Sequence, residues 1–166
     1  MQVPVKTDTA ALVERLVAAE LPKRGGLEAW TSLLSAHATL VRRLETDLEK
    51  ETGLALADFD VLAQLAVAGG ELRMTELAAR ALISRSGMTR RVSRLVDEGL
   101  VRRINADADA RVVVVSLTDA GVARLTETAP IHARGVSQLF AEQLDEQELS
   151  LLKTALDKVT VDCTFG

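Results

Sequence analysis

The chain is rich in residues that favour helices and contains very little proline, which breaks them. Its 166 residues include 24 alanines and 26 leucines, which are among the best helix formers. Only three prolines occur, and proline cannot continue the hydrogen-bond ladder of a helix. We therefore expect a mostly α-helical protein, and a hydrophobic share of 48% is large enough for a buried core.

The helical spacing of apolar residues, together with capping and breaking residues, divides the chain into predicted segments. Helices are predicted over residues 8–21, 27–51, 58–67, 76–82, 85–98, 119–140 and 145–159. Thr75 and Ser84 are candidate N-caps, and Pro130 is expected to bend or break its helix. β-Branched residues predict two strands, 101–104 and 112–117, joined into a hairpin by residues 105–110.

Several classes of protein are disfavoured by what the sequence lacks. Aromatic residues make up only 2%, which argues against modules that stack single-stranded bases on aromatic platforms. A single cysteine, Cys163, excludes a disulfide framework and a multi-thiolate metal site, and the two histidines stand on different helices, so we expect no metal and no cofactor. No signal peptide, membrane-spanning segment or catalytic motif is visible, so we expect a cytoplasmic protein that is not an enzyme.

The middle of the chain has the element order of a winged helix-turn-helix. Two short predicted helices, 76–82 and 85–98, are joined by a tight turn and followed by the hairpin, which forms the wing. The outward half of the second helix carries Ser86, Thr89 and Arg90, with Arg85 and Arg94 beside them. Small side chains permit close approach to DNA, hydroxyls bond phosphates or bases, and arginine can bind guanine O6 and N7 with two hydrogen bonds. This helix is therefore a candidate recognition helix.

The tip of the hairpin offers a second DNA contact. Arg111 is a lone cation on a loop of short side chains, and Asp109, two residues earlier, could orient its guanidinium. An arginine at the end of a wing suits the minor groove, where narrow A·T tracts concentrate negative potential.

The net charge of −4 argues by itself against a nucleic-acid binder, but the charge is unevenly distributed. Residues 80–111 contain eight arginines and four acidic residues and therefore carry +4, whereas the rest of the chain carries −8. Every basic residue of this segment is arginine, which suits bidentate contact with phosphates and base edges.

Three motifs in and after this segment carry a family resemblance. They are Ser84-Arg85-Ser86-Gly87-Met88-Thr89-Arg90, Asp109-Ala110-Arg111 and Leu117-Thr118-Asp119-Ala120-Gly121. In this order and spacing they resemble the MarR family of winged helix-turn-helix transcriptional regulators, and the resemblance extends over residues 27–159. It implies a winged helix-turn-helix domain inserted in a helical dimerisation platform. The implied ranges are 1–54 for the N-terminal platform helices, 55–118 for the DNA-binding domain and 119–166 for the C-terminal platform helices.

The resemblance also implies a homodimer that binds a pseudo-palindromic operator in double-stranded DNA, as a repressor. Bases or nearby phosphates are then faced by Ser86, Thr89 and Arg90. The DNA backbone is contacted by Arg85 and Arg94, and the minor groove by Arg111 oriented by Asp109. The family often has a second arginine where this chain has Ala110, which weakens the expected contacts of the wing.

Many members of the family release DNA when a small anionic or aromatic effector binds. Asp60, Arg91 and Arg103 match polar positions of a urate-responsive branch, but they could equally form a salt-bridge group or a DNA-backbone group. That branch has a tryptophan where this chain has Glu20, so the resemblance does not extend to urate itself. Further candidate effector-site residues are Trp30 and His37.

One alternative function stays open. The basic face of a winged helix can also meet an acidic protein, in which case the chain is a protein–protein interaction module. Selection of a palindromic sequence from random duplexes separates the two interpretations.

Overall fold

The computed structural model describes residues 12, 15, 16, 25–81, 83–105 and 112–161. This part of the chain is mostly helical and contains a small antiparallel sheet, as predicted. Its elements are α1 (Gly26–Thr52), α2 (Leu56–Val67), β1 (Glu71–Arg73), α3 (Met74–Arg80), α4 (Arg85–Asp97), β2 (Val101–Asn105), β3 (Val113–Leu117), α5 (Asp119–Leu139), a 3-10 turn (Ala141–Gln143) and α6 (Glu146–Val161).

Most predicted elements agree with the structure to within two residues. The last helix begins with a capping box, which the spacing of Asp145 and Glu148 in the sequence indicates. Asp145 Oδ1 accepts from the N–H groups of Gln147 and Glu148, and Glu148 Oε2 accepts from the N–H of Asp145. The helix predicted over residues 8–21 lies outside the described residues apart from three positions.

Three details of the prediction are corrected by the structure. Strand β1 was not predicted, because three residues are too few to show alternation and the strand exists only by pairing with β3. Helix α3 begins directly after this strand, so Arg73 and not Thr75 occupies its N-cap position. Helix α5 continues through Pro130 without a break. Because proline has no N–H, the carbonyl of Thr126 lacks its helical hydrogen-bond donor. Both Thr126 and Pro130 are exposed, so water can donate to this carbonyl instead.

The sheet has the strand order β1-β3-β2, and both pairings are antiparallel. Strand β3 is central, with Val115 paired to Leu72 on one side and to Arg103 on the other. Val115 is fully buried, whereas Arg103 is exposed. Because directly paired residues point to the same face of a sheet, Leu72, Val115 and Arg103 all lie on the face that meets the helices, with Val115 in the core and Arg103 where this face reaches solvent.

The described chain divides into two units between Arg42 and Arg43, inside helix α1. In the second unit a single hydrophobic core joins α2, α3, α4 and the sheet. Its fully buried members include Leu62, Leu65, Leu77, Met88 and Leu95. In the first unit, by contrast, the described part of α1 leaves Trp30, Leu33 and Leu34 exposed.

A tight junction connects the sheet to helix α5. Thr118 caps this helix by accepting from the N–H of Gly121 at 3.0 Å, and its hydroxyl also lies 2.7 Å from the carbonyl of Gly99. A Cβ at position 121 would lie 2.0 Å from the carbonyl oxygen of Leu100. The helix can start here only because position 121 has no side chain, which explains the Leu-Thr-x-x-Gly motif physically.

Candidate nucleic-acid interface

Helix α4 has the two faces that its sequence predicts. Met88, Val92 and Leu95 are completely buried against the core. Ser84 caps the helix, and its Oγ accepts from the backbone N–H of Gly87 at 3.2 Å. A Cβ on Gly87 would lie 2.9 Å from the Ile83 side chain, so the glycine allows the turn to pack closely against the start of the helix.

The outward face of α4 presents the predicted hydroxyl and cationic groups to solvent. Ser86, Thr89 and Arg90 are all exposed. The Thr89 hydroxyl donates to the carbonyl of Arg85 at 2.9 Å, which leaves its oxygen free to accept a further bond. Within the part of the chain that the structure describes, the guanidinium of Arg90 has no hydrogen-bond or ion-pair partner. This face can therefore offer both donors and acceptors to a groove of DNA.

A buried carboxylate holds two other arginines of α4 against the protein. Asp58, at the start of α2, is 5% exposed, and its Oδ1 lies 2.7 Å from Nη1 of Arg91. The other oxygen, Oδ2, accepts from Nη2 of Arg94. This hydrogen bond and the charge of Asp58 raise the pKa of Arg94 above its ordinary value. Because one carboxylate binds both guanidinium groups, it ties helix α4 to the start of α2.

Asp58 was missed by the sequence reasoning, although a signal was present. It stands at helical spacing from Leu54, Leu62 and Leu65, all of which are buried. A carboxylate on an apolar face must find a cationic partner when it is buried. Arg94, predicted as a DNA-backbone contact, keeps a side chain that is 52% exposed, so the ion pair does not remove it from the surface.

Arg103 connects the wing to the recognition helix. From strand β2 its Nη2 donates to Ser93 Oγ at 2.6 Å and to the carbonyl of Thr89 at 3.2 Å. Ser93 in turn donates to the same Thr89 carbonyl at 2.9 Å. One guanidinium therefore links the hairpin to the middle of α4.

The candidate effector residues do not converge in one hydrogen-bonded group. Arg91 is bonded to Asp58, and Arg103 is bonded to the opposite flank of α4. Asp60 reaches solvent, and packing around its carboxyl raises its pKa above 3.8, an effect that the charges of His132 and Arg91 partly offset. Their role in effector binding stays a prediction. Trp30 and His37 belong to the first unit of the chain, where both are exposed.

A histidine outside the predicted set packs near Asp60. The ring of His132, on α5, lies 4.5 Å from the ring of Phe59 between centroids. Its Nδ1 is buried and has no hydrogen-bond partner among the described residues. Burial lowers the pKa of His132 below 6.5, and the charge of Asp60 offsets part of this shift.

The predicted wing-tip contacts, Asp109 and Arg111, lie outside the described residues. In the described ranges no three histidine, cysteine or acidic side chains come together as metal ligands. None of the described helices has the length and apolar character needed to cross a membrane.

Comparison with known proteins agrees with this geometry. A model of the MarR family matches residues 52–112, a range that begins at the end of α1 and includes α4 and β2. An HTH-type transcriptional regulator of Bacillus cereus is 31% identical over 117 residues, which are 70% of this chain and 77% of the relative.

Solved structures extend the similarity over the fold. The chain is similar to Sco3205, a MarR family transcriptional regulator from Streptomyces coelicolor solved in complex with DNA, with a TM-score of 0.80 and 30% identity. The match covers 87% of this chain and 94% of that structure. AbsC, another MarR family regulator of Streptomyces coelicolor, gives a TM-score of 0.78 at 28% identity and covers 85% of this chain and 95% of its own. The chain therefore belongs to the MarR family of DNA-binding transcriptional regulators and is not an enzyme.

Proposed function

We propose that the protein is a homodimeric repressor that reads a pseudo-palindromic operator with helix α4. The observation that carries this proposal is that one flank of α4 is bonded to the protein while its outward face is exposed. Asp58 holds Arg91 and Arg94 on one flank, while the outward face leaves Ser86 and Arg90 exposed. A helix held in this way can present a defined set of groups to base edges in the major groove.

The homodimer is supported by apolar side chains that stand exposed in the described part of the chain. On α6, Leu151 and Val159 are 71% and 60% exposed. In the first unit, the described part of α1 exposes Trp30 and Leu34. A second copy that covers such helices in a two-fold interface would remove this area from water. Two recognition helices would then contact half-sites about one helical turn apart.

We further propose that a small anionic or aromatic effector weakens DNA binding. The region around Asp60 and His132 supports this proposal, because it combines an aromatic ring, a buried unpaired nitrogen and a carboxyl with a raised pKa. Perturbed ionisable groups gathered in one place are typical of functional sites.

The test is selection of binding sequences from random duplex DNA, followed by affinity measurements on the selected operator. We expect an inverted repeat and affinity that falls steeply with salt. Arg90→Ala should relax sequence preference, whereas Arg111→Ala should weaken binding with less change in preference. Failure to enrich any sequence, together with capture of an acidic protein partner, would instead favour the interaction module.

A further inference from the structure

A cavity of about 480 Å³ lies beside the recognition helix. It is bounded by the start of α3, the outward flank of α4 and the strands of the wing. The polar residues that line it are Arg73, Thr75, Arg85, Thr89 and Arg103. Arg73 and Thr75 lie outside the basic segment that the sequence singles out, and Arg73 is the residue at which strand β1 passes into α3.

The chemistry of the cavity suits an oxyanion. Three guanidinium groups and the Thr75 hydroxyl can donate into it, whereas the Thr89 hydroxyl already donates to the carbonyl of Arg85. The rest of the described lining is apolar, from Met74, Val112 and Val113, and none of the described lining residues is acidic. Arg103 is held in place by its bonds to Thr89 and Ser93. The side chains of Arg73 and Arg85 have no hydrogen-bond or ion-pair partner in the described parts of the chain. Two cations that have no partner among the described residues, beside a third that is fixed, suit a charge-assisted, hydrogen-bonded anion.

The position of the cavity indicates which anion. In a winged helix the recognition helix enters the major groove, and the wing reaches the adjacent minor groove. The sugar–phosphate strand that separates these two grooves must cross the gap between helix and wing. The cavity occupies that gap, between α4 and the hairpin.

We propose that this cavity binds a backbone phosphate of the operator, and that Arg73 is a phosphate-contacting residue. This inference rests on the proposed function, since it requires duplex DNA on α4. The smaller cavity on the other flank, of about 280 Å³, is a weaker candidate because two of its three arginines, Arg91 and Arg94, are already bound to Asp58.

The experiment measures operator affinity by fluorescence anisotropy over a series of KCl concentrations. The variants are Arg73→Gln and, as a matched change of one charge at an exposed position in the last turn of α1, Lys50→Gln. We expect Arg73→Gln to weaken binding about tenfold at low salt. The slope of log K against log[KCl] should become shallower by about 0.9 for each copy of the chain bound. Arg73→Lys should keep most of the slope, because a phosphate requires a positive charge more than a bidentate fork.

Each outcome decides the proposal. A slope for Arg73→Gln equal to that of Lys50→Gln overturns the phosphate contact. A change in sequence preference with an unchanged slope also overturns it, because that result indicates a base contact. Thermal unfolding of Arg73→Gln should match the wild type, since Arg73 is exposed. If the wild-type chain binds no selected duplex at all, the proposed function itself fails, and this is a distinct result.

A second arm distinguishes a DNA phosphate from a free oxyanion. Unfolding without DNA is measured in sodium phosphate and in sodium chloride of equal ionic strength. The proposal is overturned if phosphate stabilises the wild type but not Arg73→Gln while the salt slope of operator binding is the same for both. The cavity is then assigned to a small free anion. The loss of slope, with or without that stabilisation, supports it.

Discussion

The winged module, defined as α2 to β3 (residues 56–117), and the C-terminal helices α5 and α6 use their apolar residues in opposite ways. Of the fifteen buried hydrophobic core residues in the described part of the chain, fourteen lie between Leu54 and Val115, and the other is Leu48 near the end of α1. Helix α6 contributes none of them, and Leu151 on this helix is 71% exposed. The module thus buries its apolar surface within one chain, whereas α6 keeps apolar area that another surface can cover. Stability and assembly should therefore respond to substitutions in different places.

The junction between the two regions should show the largest effect. Gly121→Ala places a Cβ 2.0 Å from the carbonyl oxygen of Leu100, a backbone atom that cannot turn aside. We expect the free energy of unfolding to fall by about 3 kcal/mol or more, measured by urea titration. Gly135→Ala on the same helix is the control, because its Cβ would meet only the flexible end of Leu44, at 2.8 Å. Equal losses for the two variants would show that the junction is not tight.

Assembly should depend on α6 and not on exposed apolar residues in general. Leu151→Glu should weaken dimerisation by about 2 kcal/mol for each chain, because it removes a leucine from the proposed interface and puts a charge there. Val67→Glu is the control: Val67 is 84% exposed but belongs to the winged module. Sedimentation over a concentration series measures both variants. If Val67→Glu dissociates the dimer, or if Leu151→Glu does not, the proposed difference between the two regions is wrong.

The features that could be predicted from the sequence are those that depend on residues close together along the chain. Helix ends and the faces of α4 depend on neighbours within one or two turns, so caps such as Ser84 and Asp145 are readable locally. The bond from Arg91 to Asp58 spans 33 positions, and the bond from Arg103 to Thr89 spans 14. Such partners are fixed by the packing of α2, α4 and the hairpin. Helix α4 and its two faces were therefore predictable, whereas the groups that hold this helix and the cavity beside it required the structure.

Within the winged module, the ion pair beneath α4 should matter more than an exposed carboxyl nearby. Asp58→Asn leaves Arg91 and Arg94 without their shared charge, and we expect a loss of about 2 kcal/mol in unfolding free energy. This is less than for a fully buried pair, since both arginines are partly exposed. Operator affinity should fall too, because α4 loses the group that ties it to α2. Asp60→Asn, two residues along the same helix, should change stability by less than about 0.5 kcal/mol at neutral pH. A reversed order would show that Asp58 does not position the helix.

The smallest effect is expected in pH dependence, where α5 packs on the winged module. The folded protein lowers the pKa of His132 below 6.5, so the unfolded chain binds this proton more readily. Stability is therefore lost as the pH falls from 6.5 towards the lowered value. Asp60 acts in the opposite sense at lower pH, because its pKa is raised above 3.8 and its protonation favours the folded state.

Urea titrations between pH 8 and 5.5 should show an unfolding free energy that declines as the pH falls, and His132→Asn should flatten this decline. His37→Asn, at an exposed position of α1, should retain the wild-type decline. If the unfolding free energy of His132→Asn declines with pH as steeply as that of the wild type, protonation of His132 is not the cause of the decline.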